Sequence, residues 1–230
     1  MSLWTDIRDA IARLAPGERL LALLDRFRTP PERSVAFTIA VIALGAKMAK
    51  ADGRVTRDEV AAFREVFHIP EGETDHAARV FDLARTDVAG FEAYAAQVAR
   101  MFSADAPALR DLMEGLFHIA VADGDYHEAE HAFLARVADL LGIDEREFRA
   151  IRARCVPAGV DGATPDPREV LGVDPDAPVA EARAAWRRLV RDTHPDRMIA
   201  RGLPEEAVRL AEKRLIAVNR AWEAVRAEAA

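Results

Sequence analysis

One cysteine, Cys155, stands in 230 residues. It cannot build a disulfide framework, and a reducing, cytoplasmic compartment is the natural expectation. Aromatic residues make up only 7% of the chain. Long β-branched alternation and Asn-Gly hairpin turns are scarce too, which argues against a sheet-based fold. No apolar run is long enough to span a bilayer: the longest, Val35 to Ala46, stops at Lys47 and reads as a buried helix. The N-terminus does not resemble a secretory signal, since Asp6 and Asp9 come early and no small-residue cleavage site follows an apolar core. Excess positive charge is missing as well. The net charge is −7, and all of it falls before Pro165, where 27 acidic residues face 20 basic ones. A nucleic-acid backbone needs a basic footprint, so nucleic acid is not an expected partner. No nucleophile–base arrangement or phosphate-cradling glycine loop is recognisable, so the chain is not expected to be an enzyme.

What is present is an ordinary globular balance, 50% apolar and 31% charged, rich in alanine and patterned at helical spacing. The expected class is all-α. Residues 1–33 form a helical preface, with Leu3, Ile7, Ile11 and Leu14 on one face beside Trp4, broken at Pro16-Gly17 and closed by Pro30-Pro31. Such a helix can lie on a membrane surface, but docking onto the body or a partner is the commoner use. Residues 34–155 form the body, with helices expected over Val35–Ala51, Arg57–Phe67, Thr74–Arg85, Phe91–Phe102, Ala108–Ala122, Glu128–Leu141 and Asp144–Arg154. Residues 156–166 are rich in proline and glycine and read as a flexible linker. Residues 167–230 are a separate C-terminal segment.

That segment contains His194-Pro195-Asp196. A tripeptide alone means little, but this one has context. Upstream, Asp176 and Pro178 offer a cap and a first-turn proline for a helix from Val179 to Arg191. On it Arg183, Arg187 and Arg191 recur every four residues as one basic stripe, while Ala182, Trp186 and Leu189 mark a buried face. Proline lacks an amide hydrogen and disfavours helix at His194, so the turn is expected to be non-helical. Downstream, Pro204, Glu205 and Glu206 open a second helix, with Ala207, Ala211, Leu215, Val218, Trp222 and Val225 facing the core.

Four features in this order resemble the J-domain family of DnaJ-like proteins: Glu169-Val170-Leu171-Gly172-Val173, the arginine-bearing helix, His194-Pro195-Asp196, and Ile216-Ala217-Val218-Asn219-Arg220-Ala221-Trp222-Glu223 against the family's x-x-I-N-x-A-Y-E. One departure is visible, Pro167-Arg168 where the family usually has a tyrosine pair. The resemblance implies docking on a DnaK-type chaperone, acceleration of its ATP hydrolysis and trapping of a client protein. Carried over by position, Asp196 pairs with a basic group of the chaperone, His194 holds the loop and contacts the chaperone, and Pro195 fixes its shape. Arg183, Arg187 and Arg191 meet an acidic surface.

The body carries an echo, Ala51-Asp52-Gly53-Arg54-Val55-Thr56-Arg57-Asp58-Glu59 against Ala122-Asp123-Gly124-Asp125-Tyr126-His127-Glu128-Ala129-Glu130. Each copy matches the second half of a calcium-binding EF-hand loop, but Met48 and Lys50, or Ile119 and Val121, stand where the first carboxylates belong, which excludes a complete EF-hand. Two readings are open. The glycines end helices in a left-handed conformation and the acids cap the next helices, or Asp52, Glu59, Asp123 and Glu130 share a divalent cation. Among His68, His76, His118, His127 and His131, the last two stand one helical turn apart if a helix begins at His127, without a recognisable third zinc ligand. Residues 34–150 resemble the tellurite-resistance TerB family, helical domains with this paired signature and a suspected divalent-metal site. A TerB-like body before a J-domain is the order of the DjlA-type co-chaperones. Their usual N-terminal membrane span has no counterpart expected here. The resemblance implies a co-chaperone whose body binds clients. The alternative is a metal-binding stress or tellurite-response protein with an accessory J-domain.

Overall fold

The apolar run that stops at Lys47 becomes the axis of the fold. In the computed structural model it is the middle of α3 (Glu32–Ala51), and its residues from Val35 to Met48 are buried on every side. The structure describes residues 3–13, 20–24, 32–51, 69, 72, 74–87, 89–103, 105–122, 124–157, 159–160, 164–200 and 203–228, and all regular structure among them is helical. Lys47 ends the run without breaking it, because its ammonium donates to the Asp87 carbonyl at 2.7 Å and lies 5.5 Å from the centre of the Tyr94 ring.

Around α3 pack α1 (Leu3–Ala12), α2 (Leu20–Leu24), α4 (Thr74–Thr86), α5 (Phe91–Met101), α6 (Ala106–Ala120) and α7 (Glu128–Leu141), while α8 (Glu145–Cys155) lies on α6. Trp4, Ile7 and Ile11 are buried in this core, so the apolar face of α1 is covered by the body. The expected helix over Arg57–Phe67 lies outside the described residues, as do Leu14 and the first Asp-Gly copy.

Local chemistry sets the helix ends. The Asp105 carboxylate accepts from the Ala108 amide at 3.1 Å, with Pro107 in the first turn of α6. At α7, the Glu130 carboxylate accepts from the His127 amide at 2.8 Å and closes a capping box, and Gly142 ends the helix at φ +72°. Asp144 caps α8 through the Glu147 amide at 2.8 Å.

Helices stop at Cys155 and resume with α9 (Pro167–Leu171), α10 (Val179–Asp192), α11 (Pro195–Ala200) and α12 (Glu205–Glu228). Helices α9, α10 and α12 share a small core of their own, including Val170, Leu171, Ala182, Ala185, Val218 and Val225. The N-terminal half of α12 and the residues just before it do something else. Leu203, Ala207 and Ala211, with Met198 of α11, belong to the core of the body. The hairpin is therefore docked as well as tethered. Arg154 and Arg146 of α8 reach across to donate to the carbonyls of Val170 and Gly172, each at 3.0 Å.

Candidate functional site

The tip of the α10–α12 hairpin is built from α10 outward. Pro178, in an extended conformation, is the N-cap of α10, and no side chain caps that end. Asp176 does not supply the cap, because the helix begins one residue after the proline. Ala182 and Ala185 face the hairpin core, with Trp186 and Leu189 half-buried beside them. Trp186 stacks on Trp222 at 5.4 Å between ring centres and donates its indole N–H to Asn219 at 2.8 Å. Arg183, Arg187 and Arg191 all point to solvent.

Thr193 ends α10. Its amide and its hydroxyl both donate to the Leu189 carbonyl, at 3.0 and 2.7 Å, and its side chain is buried. The chain then turns at His194, whose carbonyl accepts from the amides of Arg197 and Met198 at 3.0 and 3.2 Å. Here the structure corrects the sequence reading. The turn is not irregular through Asp196, because Pro195 opens α11 as its first helical residue, where a missing amide hydrogen costs nothing. The Asp196 amide donates to His194 Nδ1 at 3.2 Å, which leaves the ring proton on Nε2. The His194 and Asp196 side chains are 59% and 88% exposed, and the Arg197 guanidinium pairs with Asp192 at 2.9 Å across the turn. An imidazole and a carboxylate are thus presented together beside a basic helix.

Arg168, where the resembled family usually has an aromatic residue, holds its helix by polar bonds. Its Nε donates to the Ala177 carbonyl at 3.2 Å and its Nη1 pairs with Glu228 at 2.5 Å, tying the start of α9 to the end of α12. Gly172 turns away at φ +72°, and a Cβ there would stand 3.5 Å from that of Ala150, so α9 sits close on α8.

Behind the tip lies a charged cluster that sequence reasoning missed. Arg214 of α12 pairs with Asp111 and, at 2.6 Å, with Glu114, both on α6; Arg154 Nε stands 3.4 Å from Glu114. Burial opposes the charge on Arg214, but Glu114 and then Asp111 more than offset it and hold the guanidinium firmly protonated. The available signal is a pair of acids three residues apart among Leu109, Leu112, Met113, Leu116 and Phe117 on one helix, since buried carboxylates need cations. An arginine-lined cleft of about 440 Å³ opens beside this cluster, between the body and α10.

Burial lowers the pKa of neighbouring His118 from its ordinary 6.5; Glu114 opposes the fall, and Lys213 and Arg214 add to it. His131 is lowered likewise by burial and then by Arg152, against Glu128. Below pH 6.5 the unfolded chain therefore binds more protons than the folded one, and stability falls as the pH falls. The melting temperature should be lower at pH 5 than at pH 7.5, and His118→Asn should recover part of the difference. A melting temperature flat between those two values would contradict this account.

The candidate metal residues are not assembled among the described residues. Asp52, Glu59 and Asp123 lie outside them, and Glu130 is buried in the capping box of α7. Gly124 is left-handed, φ +92°, but it stands beyond the end of α6, whose C-cap is Val121. His127 is the N-cap of α7 and not its first residue, while His131 Nδ1 lies 3.1 Å from the Tyr126 hydroxyl. Among the described residues no group of three or more His, Cys, Asp or Glu side chains is placed to hold a metal ion.

Residues 38–153, half of the chain, match the family described as tellurite resistance protein TerB. The chain belongs to the TerB family. The match begins within α3 and ends within α8, so the TerB domain is the helical body. Over most of its length the chain is similar to curated proteins named co-chaperone protein DjlA. The one from Photobacterium profundum is 27% identical over 86% of this chain and 79% of its own length. That of Escherichia coli K12 is 23% identical over 87% and 82%. A shorter alignment, with the Vibrio cholerae protein, is 32% identical over 47% of each chain. No solved structure matches it. Among the described residues no helix is long and apolar enough to cross a membrane.

Proposed function

We propose that this chain is a co-chaperone: its C-terminal hairpin is a J-domain that stimulates ATP hydrolysis by a DnaK-type chaperone, and its TerB body binds the client. The observation that carries the reading is the exposed pair His194 and Asp196 at the hairpin tip, beside the solvent-facing Arg183, Arg187 and Arg191. The likeness to DjlA co-chaperones over most of the chain supports it. Chemistry stays with the partner, which holds the ATP; this chain supplies a docking surface and acts as a regulator. The reading places the protein in the cytoplasm, where Cys155, whose thiol is pushed well above its usual range first by burial and then by Glu114, stays protonated and inert.

The basic stripe steers association and the turn delivers the signal, so the two are separable in an assay. The test is single-turnover ATP hydrolysis by a purified DnaK-type chaperone, titrated with the full chain. Stimulation should saturate with chain concentration. Changing Arg183, Arg187 and Arg191 to glutamate together should raise the half-maximal concentration about tenfold at low salt, and less at high salt. A wild-type chain that stimulates no DnaK-type chaperone would sink the reading.

A further inference from the structure

The residues just after the His-Pro-Asp turn belong to a different core from the residues just before it. Upstream, Thr193 is fastened to α10 through Leu189, and α10 rests on the hairpin core. Downstream, Met198 is fully buried in the core of the TerB body; the Leu203 amide donates to its carbonyl at 3.1 Å, and Leu203, Ala207 and Ala211 follow it into that core. The turn therefore bridges two packed units. Its geometry is fixed only while both stay where they are, because packed cores hold discrete positions and do not deform smoothly.

Arg214 sits where α12 passes from one core to the other. Ala211 on one side packs in the body and Val218 on the other packs in the hairpin, while the guanidinium is bound to Asp111 and Glu114 of α6. The helices run close here: a Cβ on Gly115 would lie 3.5 Å from Val41 and 3.8 Å from Leu210. The ion cluster thus pins α12, and with it α11, to the body.

We propose that the TerB body positions the His-Pro-Asp turn, with Met198 and Arg214 as the positioning residues, so that the body sets how strongly the J-domain signals. The inference rests on the co-chaperone reading above. The contact holds the turn without covering it, because His194, Asp196 and the three arginines of the stripe stay exposed. The body is accordingly a mount and not a mask. Loosening it should weaken the signal, where release of a mask would strengthen it.

The experiment uses the full chain. Arg214→Ala and Met198→Ala should each lower the maximal stimulation of the DnaK-type ATPase roughly tenfold, with little change in the half-maximal concentration, since the arginine stripe is untouched. The imidazole resonances of His194 should shift in both variants, and Arg214→Lys, which keeps the charge but not the planar fork that reaches both carboxylates, should restore only part of the stimulation. Leu134→Ala is the control: it opens the same body core from α7, which makes no extensive contact with α11 or α12. It should lower the melting temperature while leaving both stimulation and the His194 signals unchanged. The proposal is overturned if Arg214→Ala stimulates as well as or better than wild type, or if Leu134→Ala loses as much as Arg214→Ala. If the wild-type chain stimulated nothing, the co-chaperone reading would fall, and the His194 resonances would still decide the positioning: moved in Arg214→Ala they support it, unmoved they end it.

Discussion

Replacing Glu114 with alanine should destabilise the chain by about 3–5 kcal/mol, the usual cost of leaving buried charges without their partner. The Glu114 side chain is only 2% exposed, accepts from Arg214 Nε at 2.6 Å and stands 3.4 Å from Arg154 Nε. Without it two guanidiniums, 9% and 3% exposed, remain inside the interface. Asp111 still pairs with Arg214, but Arg154 keeps only a 4.0 Å contact with Glu147 and its bond to the Val170 carbonyl. Desolvation of the unpaired cation then dominates. At roughly 2–4 °C per kcal/mol for a chain of this size, the melting temperature should drop by about 6–20 °C. Glu114→Gln keeps an acceptor and should lose less. Calorimetric melts of the two variants against wild type decide the matter; a drop of a degree or two in Glu114→Ala would mean that water reaches the cluster and solvates it.

The second large effect is functional, with almost no change in stability. His194→Gln should reduce ATPase stimulation at least about thirtyfold, the loss expected when a central docking residue is removed. The imidazole accepts the Asp196 amide at Nδ1 and presents a ring N–H from a rigid plane. Glutamine is longer, has an additional rotatable bond, and cannot hold its donor in that place while its carbonyl satisfies the same amide. Because the side chain is mostly exposed and packs in no core, its replacement should move stability by no more than about 0.5 kcal/mol. Asp196→Asn should behave alike, losing the charge and keeping the fold. Equal stimulation by wild type and His194→Gln would remove the J-domain reading altogether.

The parts legible in the sequence were those fixed by local rules. The apolar period marked α7 as Glu128–Leu141 and placed α10 within a residue of its observed end. The run ending at Lys47 is readable as buried because it carries no charge and Thr38 is its one polar side chain. Helix α11 is hidden in the sequence because its proline, a breaker inside a helix, is equally the residue favoured at a helix start. Nothing in the sequence marks Met198 as a core residue, since its neighbours give no periodicity and the core that takes it belongs to a distant part of the chain. The ion cluster is the clearest case. Arg214 and Glu114 are 100 residues apart, and on its own helix Arg214 resembles the exposed arginines around it. What distinguishes it is the company it meets after folding, which no spacing rule encodes.

The stacked indoles of the hairpin have a practical consequence. The chain has three tryptophans; Trp4 is buried in the body, while Trp186 and Trp222 lie nearly parallel, 16° apart in plane. Two indoles so placed couple their electronic transitions and give a circular-dichroism couplet that vanishes when α10 and α12 separate. Trp4, on α1, belongs to the body core and not to that stacked pair, and its emission reports on how α1 seats against the body. The molecule thus carries two native optical labels, one on each side of the seam between body and hairpin, and a melt followed at both would show whether the halves let go together.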